Sequence, residues 1–235
     1  MRIACRLAMA VFALASAPAV QAQAWQCHVP DRIDTPGPVR PDGPARSTPI
    51  AGFVLSLSWS PEFCRTRHDD PAHATQCGGR VGRFGFILHG LWPEGASGDY
   101  PQWCPTPLTP STQTLRRNLC MTPSAALLAH EWAKHGSCMA RTPDGYFRSA
   151  QALYHSLRFP DMALLSRRPG LTAGDLRRAM VATTPFLAPA MIRVNANPRG
   201  WLEDIHVCYA RSFMPATCAD RGVADDAPLK IWRSF

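Results

Sequence analysis

The chain has 235 residues, with 25 lysines and arginines against 17 acidic residues, 23 prolines and 9 cysteines. That length suits one domain, and past the first residues no segment approaches the ~18 consecutive apolar residues that a membrane span needs. The basic surplus favours a polyanion, nucleic acid or an anionic membrane, without choosing between them.

In chain order, Arg2 and Arg6 open a positive start, Leu7 to Ala15 is an unbroken apolar stretch, and Pro18 breaks it. Ala22-Gln23-Ala24 then offers the small-x-small pattern of a signal-peptidase site. Residues 1–24 read as a secretory signal, cut after Ala24 with Ala22 as the fallback, which implies a secreted or periplasmic protein. Cleavage removes Cys5 and two arginines, so 23 basic residues face 17 acidic ones. The eight remaining cysteines are Cys27, Cys64, Cys77, Cys104, Cys120, Cys138, Cys208 and Cys218. An even count in an exported chain reads as four disulfides, with about 105 pairings open to sequence alone. Reduced cysteines or a zinc site are the alternative, but no pair has C-x-x-C spacing.

Residues 25–51 form a Pro-rich arm (Pro30, Pro36, Pro38, Pro41, Pro44, Pro49), expected to be mostly extended and poorly ordered. It leads into a domain over residues 52–235. Phe53, Leu55, Leu57 and Trp59 alternate with Ser56 and Ser58, a half-buried strand. Arg83 to His89 reads as a second strand, with Phe84, Phe86 and Leu88 on one face and Ile87 and His89 on the other, stopping at Gly90 and Pro93. Residues 98–120 are loop-rich. A helix is expected from Pro123 to His135, capped by Thr122 and ended by Gly136. Another runs from Asp144 to Phe159, with Phe147, Ala150, Leu153, Tyr154 and Leu157 on one stripe. A third starts at Thr172 with Asp175 three residues on, a capping-box pattern. Residues 191–194, 201–210 and 229–232 read as strands. Strands and helices without regular alternation indicate α+β, an antiparallel sheet flanked by helices.

His130-Glu131-Trp132-Ala133-Lys134-His135 carries the densest chemistry. At about 100° per residue, His130, Lys134, Glu131 and His135 fall within an arc of about 140°, while Trp132 points toward the core. Two imidazoles, a carboxylate and an ammonium on one narrow face suit acid–base catalysis. A zinc protease motif, H-E-x-x-H, would place its second histidine at four residues rather than five, and Lys134 fills that slot. A solvated charged helix is the plainer alternative. The second constellation is Phe86-Ile87-Leu88-His89-Gly90-Leu91-Trp92-Pro93, which projects a histidine from the end of a strand. His28, His68, His73, His155 and His206 are read as bystanders.

Together, FxxHGLWP and HEWxKHGxC resemble the two active-site segments of the ribonuclease T2 family, the secreted acid ribonucleases that include plant self-incompatibility ribonucleases. FVLSLSWSPEFC (residues 53–64) is similar to the family's opening strand, and Tyr100-Pro101 with Cys104 to the following loop. Tyr146-Phe147 and the late strand ending in Cys208 also fit, so the resemblance covers residues 52–235. It implies His135 as general base, His89 as general acid, His130 as a phosphate ligand, and Glu131 and Lys134 as stabilisers of transition-state charge. Trp92 and Tyr100 would line a base pocket, although Trp92 could be simple core packing. Glu94 stands where the family commonly has aspartate, one methylene longer.

RNA supplies its own nucleophile, the ribose 2′-OH, so one base and one acid suffice. Histidines suit both roles because a pKa of about 6.5 leaves each form accessible. The expected activity is metal-independent cleavage of single-stranded RNA by transphosphorylation to a 2′,3′-cyclic phosphate. No cofactor and no metal is expected. RNA is the expected partner, with no membrane association after cleavage, and the protein is expected to be a monomer. A non-catalytic exported RNA-binding or cytotoxic protein on the same scaffold is the alternative, although all five catalytic positions are filled. The resemblance further implies the pairs Cys64–Cys77, Cys104–Cys138 and Cys208–Cys218, which leaves Cys27 for Cys120 if the arm folds back across the domain.

Overall fold

A computed structural model describes residues 27–233, so the signal sequence expected over residues 1–24 lies outside the described residues. Four strands, β1 (Gly52–Trp59), β2 (Phe86–Glu94), β3 (Ile192–Ala196) and β4 (Leu202–Ala210), form one antiparallel sheet in the order β2-β1-β4-β3. The helices in chain order are α1 (Ser60–Cys64), α2 (Ala74–Cys77), α3 (Thr112–Asn118), α4 (Ala125–Glu131), α5 (Ser137–Met139), α6 (Pro143–Ser156), α7 (Met162–Leu165) and α8 (Ala173–Thr183). The class is α+β.

The alternation in β1 explains how the sheet sits. Phe53, Leu55, Leu57 and Trp59 join a core built with Tyr146, Phe147, Ala150 and Tyr154 of α6 and Leu176 and Met180 of α8. Ile205 and Val207 of β4 continue the same apolar layer. Residues at the odd and even positions of a strand point to opposite faces, so Ser58, Asp204 and His206 are left for the other side. The capping box on α8 is present: Thr172 Oγ1 accepts from the Asp175 amide and the Asp175 carboxylate accepts from the Thr172 amide.

Four bridges staple the fold: Cys64–Cys77, Cys104–Cys138 and Cys208–Cys218, which the resemblance implies, and Cys27–Cys120, the pair those three leave over. Cys104–Cys138 closes a sequence separation of 34 residues and in the chain-entropy account contributes about 3–4 kcal/mol.

Several elements differ from their expected form. Strand β2 does not stop at Gly90 but runs to Glu94, because Ala51 donates its amide to the Glu94 carbonyl and keeps the ladder closed. The helix expected from Pro123 starts at Ala125, since Ser124 supplies the cap and the Thr122 hydroxyl donates instead to the Leu88 carbonyl at 2.7 Å. Gly136 does not end it: a Cβ there would press on the Trp132 and Tyr146 rings, so this glycine serves close packing. The helix beyond Thr142 ends at Ser156 rather than Phe159. Within the loop-rich stretch 98–120, Ser111 caps α3. Residues 229–232 form no strand, because Leu229 bonds to Leu171 while Lys230 bonds to Gly200 and Leu202, so no single partner supplies a ladder.

The arm is extended, as its prolines require, but it is fastened rather than loose. Beyond the Cys27–Cys120 bridge, Arg116 donates to the Pro30 and Asp31 carbonyls, and Gln102 donates its side-chain amide to the Pro44 carbonyl at 2.8 Å. Arg46 and Gln102 exchange backbone bonds of 2.9 and 3.0 Å.

Candidate active site

The strand side of the site is built around an irregularity. Along β1–β2, Ser56 pairs with Gly90 and Leu57 with Leu88, so His89 is the extra residue of a β-bulge. A bulge breaks the alternation and re-aims one side chain. Here it turns His89 toward the helix, with Nε2 3.5 Å from Glu131 Oε1, while Ser58 Oγ lies 3.1 Å from Nδ1. Gly90 is required beside it, because any Cβ there would collide with the Glu131 carboxylate.

On the helix side, α4 passes into a π turn over Trp132–Gly136 before α5. Bonding of the i→i+5 type widens the turn. It carries His135 back toward the face of His130, so the regular 100° wheel overstates their separation. Trp132 and Tyr146 are buried beneath this turn, and Trp132 donates its indole N–H to the Leu108 carbonyl. The buried Tyr146 hydroxyl accepts from the Leu91 amide, which ties α6 to β2 just past His89.

Trp92 joins the two halves. Its indole N–H donates to Glu131 Oε2 at 2.7 Å, and its ring centroid lies 5.6 Å from His89 and 5.5 Å from His135. The centroid of Tyr100 lies 6.1 Å from that of His135. Lys134 is mostly buried and His130 half-buried, and both face Asp42 of the arm, at 2.7 and 3.9 Å. All five residues expected to carry chemistry therefore meet in one cluster, with Trp92 and Tyr100 among them. Glu94 lies farther along β2, half-buried, with His206 and Arg193 as the charges that act on it.

Burial dominates the electrostatics. It pushes His135 down to about 3, with the Lys134, His130 and His89 charges adding to the effect. It pushes His89 down to about 4, although 38% of that side chain still reaches solvent, which tempers the desolvation. His130 is lowered by burial and then by Lys134, against the opposing charge of Asp42. Glu131 moves the other way, up to about 8, because its buried carboxylate has only the Trp92 hydrogen bond and the Lys134 charge in compensation. Glu94 is also raised by burial. At mildly acidic pH the site therefore holds a neutral carboxylic acid among imidazoles that shed their protons readily.

Four residues near the site stand outside the two motifs. Trp103, in the left-handed region at φ 54°, places its ring edge-on to His130 and donates its indole N–H to Asp42 at 3.1 Å. Asp204 accepts from Asn195 and lies 3.2 Å from His206, whose ring meets Trp92 edge-on at 5.2 Å. His206, read as a bystander, thus lies beside the cluster, and a carboxylate two residues earlier in the strand was the available signal for its placement. Asp42 had none. Among the described residues, no three His, Cys, Asp or Glu side chains are grouped to hold a metal ion. A cavity of about 670 Å³ lined by Leu171, Trp201, Leu229, Lys230 and Trp232 lies apart and includes none of these groups.

An α+β sheet that brings two histidine-bearing segments together under disulfide staples defines a class, and comparison places it. The ribonuclease T2 family model matches residues 51–169, just over half of the chain, and the chain belongs to that family. It is 30% identical over 190 residues to a probable ribonuclease of Haemophilus influenzae, covering 76% of this chain but 65% of that protein. It is 35% identical over 172 residues to a ribonuclease of Aeromonas hydrophila, covering 72% of this chain and 76% of its relative. Among solved structures it resembles trichomaglin, an S-like ribonuclease, with a TM-score of 0.63 at 18% identity over 79% of this chain and 98% of the other, a likeness of fold.

Proposed function

We propose that this protein is a secreted or periplasmic, metal-independent endoribonuclease that cleaves single-stranded RNA by transphosphorylation and acts as a monomer. The observation that carries the reading is the placement of His89 and His135 against one Trp92 ring, at centroid distances of 5.6 and 5.5 Å, with Lys134, His130 and Glu131 nearby. In this reaction His135, neutral because it is buried, takes the proton of the ribose 2′-OH. The 2′-oxygen forms a bond to phosphorus and the bond to the 5′-oxygen breaks, leaving a 2′,3′-cyclic phosphate. His89 delivers its proton to the departing 5′-oxygen, and each such transfer typically contributes about 10²–10⁴-fold.

Lys134 and protonated His130 offset the charge that gathers on the phosphorane. Glu131, raised to about 8, is a neutral acid below that pH and donates a hydrogen bond to a phosphoryl oxygen without repelling it. Trp92 and Tyr100 offer stacking surfaces for a base, worth about 1–3 kcal/mol per base. Glu94 is assigned a hydrogen bond to a base edge.

The test is an assay of the mature protein on RNA and on DNA of matching sequence, with and without chelator. RNA is cut to cyclic-phosphate ends, DNA without its 2′-OH stays intact, and the chelator changes nothing. Cleavage of DNA, or activity lost to the chelator and restored by zinc or magnesium, would show that a metal-dependent hydrolase had been mistaken for this enzyme.

A further inference from the structure

The Pro-rich arm reaches the cluster with two side chains. One carboxylate oxygen of Asp42 lies 2.7 Å from Lys134 Nζ and 3.9 Å from His130 Nε2, and the other accepts from the Trp103 indole at 3.1 Å. Four residues on, the Arg46 guanidinium lies over the Tyr100 ring, 4.5 Å from its centroid, with a side tie to Asp99 at 3.4 Å. A nucleotide bound as set out above would present an anion to Lys134 and His130 and a flat ring to Tyr100. The arm presents an anion and a flat cation to the same groups.

We propose that the side chains of Asp42 and Arg46 are a built-in mimic of the substrate: they occupy the phosphate and base positions and must swing aside for RNA while the anchored backbone stays in place. The inference rests on the reading of Lys134, His130 and Tyr100 as substrate-binding groups. The anchors suit such a role. The backbone is held at Pro30 and Asp31 and again from Pro44 to Arg46, while among the described residues no backbone group from Arg32 to Gly43 makes a hydrogen bond. Asp42 can therefore leave without unfastening the arm.

Its side chain is half-exposed, and ion pairs in that setting are weak enough to compete with substrate rather than shut the site permanently. If Asp42 and Lys134 merely stabilised the fold, removing the carboxylate would not help an anion to bind. If Asp42 held Lys134 in position for catalysis, removing it would slow turnover. Mimicry alone predicts a gain.

The experiment compares Asp42→Asn with Asp34→Asn, an equal charge change on the same arm at a residue that makes no hydrogen bond or ion pair among the described residues. Inorganic phosphate is titrated into each protein and followed at the His130 imidazole by NMR, and kcat and KM are measured on a short RNA. For Asp42→Asn the phosphate Kd and the KM should each fall about fivefold, the penalty lifted when a weak closed state is removed. Its kcat should hold, and Asp34→Asn should change none of the three. Unchanged or weaker phosphate binding in Asp42→Asn, equal gains in both variants, or a fall in kcat would overturn the mimic. The phosphate titration needs no turnover, so an absence of RNA cleavage in every protein would sink the functional reading and still leave the arm decided.

Discussion

Strand β2 and helix α4 approach the cluster with different geometries, and each abandons its regular form where the chemistry begins. In β2 the departure is the bulge at His89, opposite Ser56 and Leu57. In α4 it is the π turn that carries Lys134 and His135. The strand histidine is left partly in solvent, with Ser58 at Nδ1 and Glu131 at Nε2. The helix histidine is buried, and among the described residues its Nδ1 has no hydrogen-bond partner. Under the proposed reading, the imidazole that gives a proton is tied to other polar groups, while the one that takes a proton is buried and held neutral. The contrast supports the proposed division of acid and base without appeal to motif order.

The harshest way to break that pairing is to delete either ring. His89→Ala and His135→Ala should each lower kcat by about 10²-fold or more, the scale of a lost proton-transfer group. His130→Ala should act mainly on KM, because His130 lies on the Lys134 side of the cluster, beside Asp42 and Trp103, and not between the reacting groups. Steady-state kinetics on a dinucleotide separates the two patterns. Near-normal turnover in either of the first two variants would leave the acid–base assignment without support.

The two glycines sharpen the comparison, because each permits a close approach of a different kind. A Cβ at Gly90 meets the Glu131 carboxylate, whereas a Cβ at Gly136 meets the Trp132 and Tyr146 rings in the core. Gly136→Ala should therefore cost about 1–3 kcal/mol of stability, as overpacking does. Gly90→Ala should displace Glu131 from Trp92 and His89 and cost activity more than stability. Urea unfolding read alongside kcat tests this, and the same stability loss in both variants would mean that Gly90 has no special relation to the site.

Much of this cluster is legible in the sequence, but not all of it. Alternating apolar residues in β1 and the stripe on α6 report burial directly, and burial is what sequence periodicity measures. The clustering of His130, Glu131, Lys134 and His135 was legible because four polar groups on one helical arc need a common reason. The bulge and the π turn were not, since each is a choice between nearly equal backbone paths settled by distant contacts, such as Tyr146 with the Leu91 amide and Thr122 with the Leu88 carbonyl. Asp42 was invisible for a simpler cause. Its partners are 92 and 88 residues away in the chain, and nothing local distinguishes it from the other acids of the arm.

The smallest expected effect concerns the hydroxyl of Ser58, 3.1 Å from His89 Nδ1. A plot of kcat/KM against pH reports the free protein's acid and base. It should rise as His135 loses its proton, near its lowered value of about 3. It should fall as His89 loses its own, below the ordinary histidine range, so activity favours acidic solution and declines toward neutrality. A hydroxyl oxygen that accepts from Nδ1–H, as it must when the ring is charged, binds the charged form strongly, so under the proposed reading Ser58 helps to hold the proton that His89 delivers. Ser58→Ala removes that preference. One such bond is worth about 0.5–1.5 kcal/mol, and one pKa unit is about 1.4 kcal/mol. The descending limb should therefore move to lower pH by up to about one unit. The ascending limb should stay in place, because Ser58 makes no hydrogen bond to His135. If both limbs move together, Ser58 acts on the cluster as a whole, and the proposed division between a tied acid and a buried base does not hold.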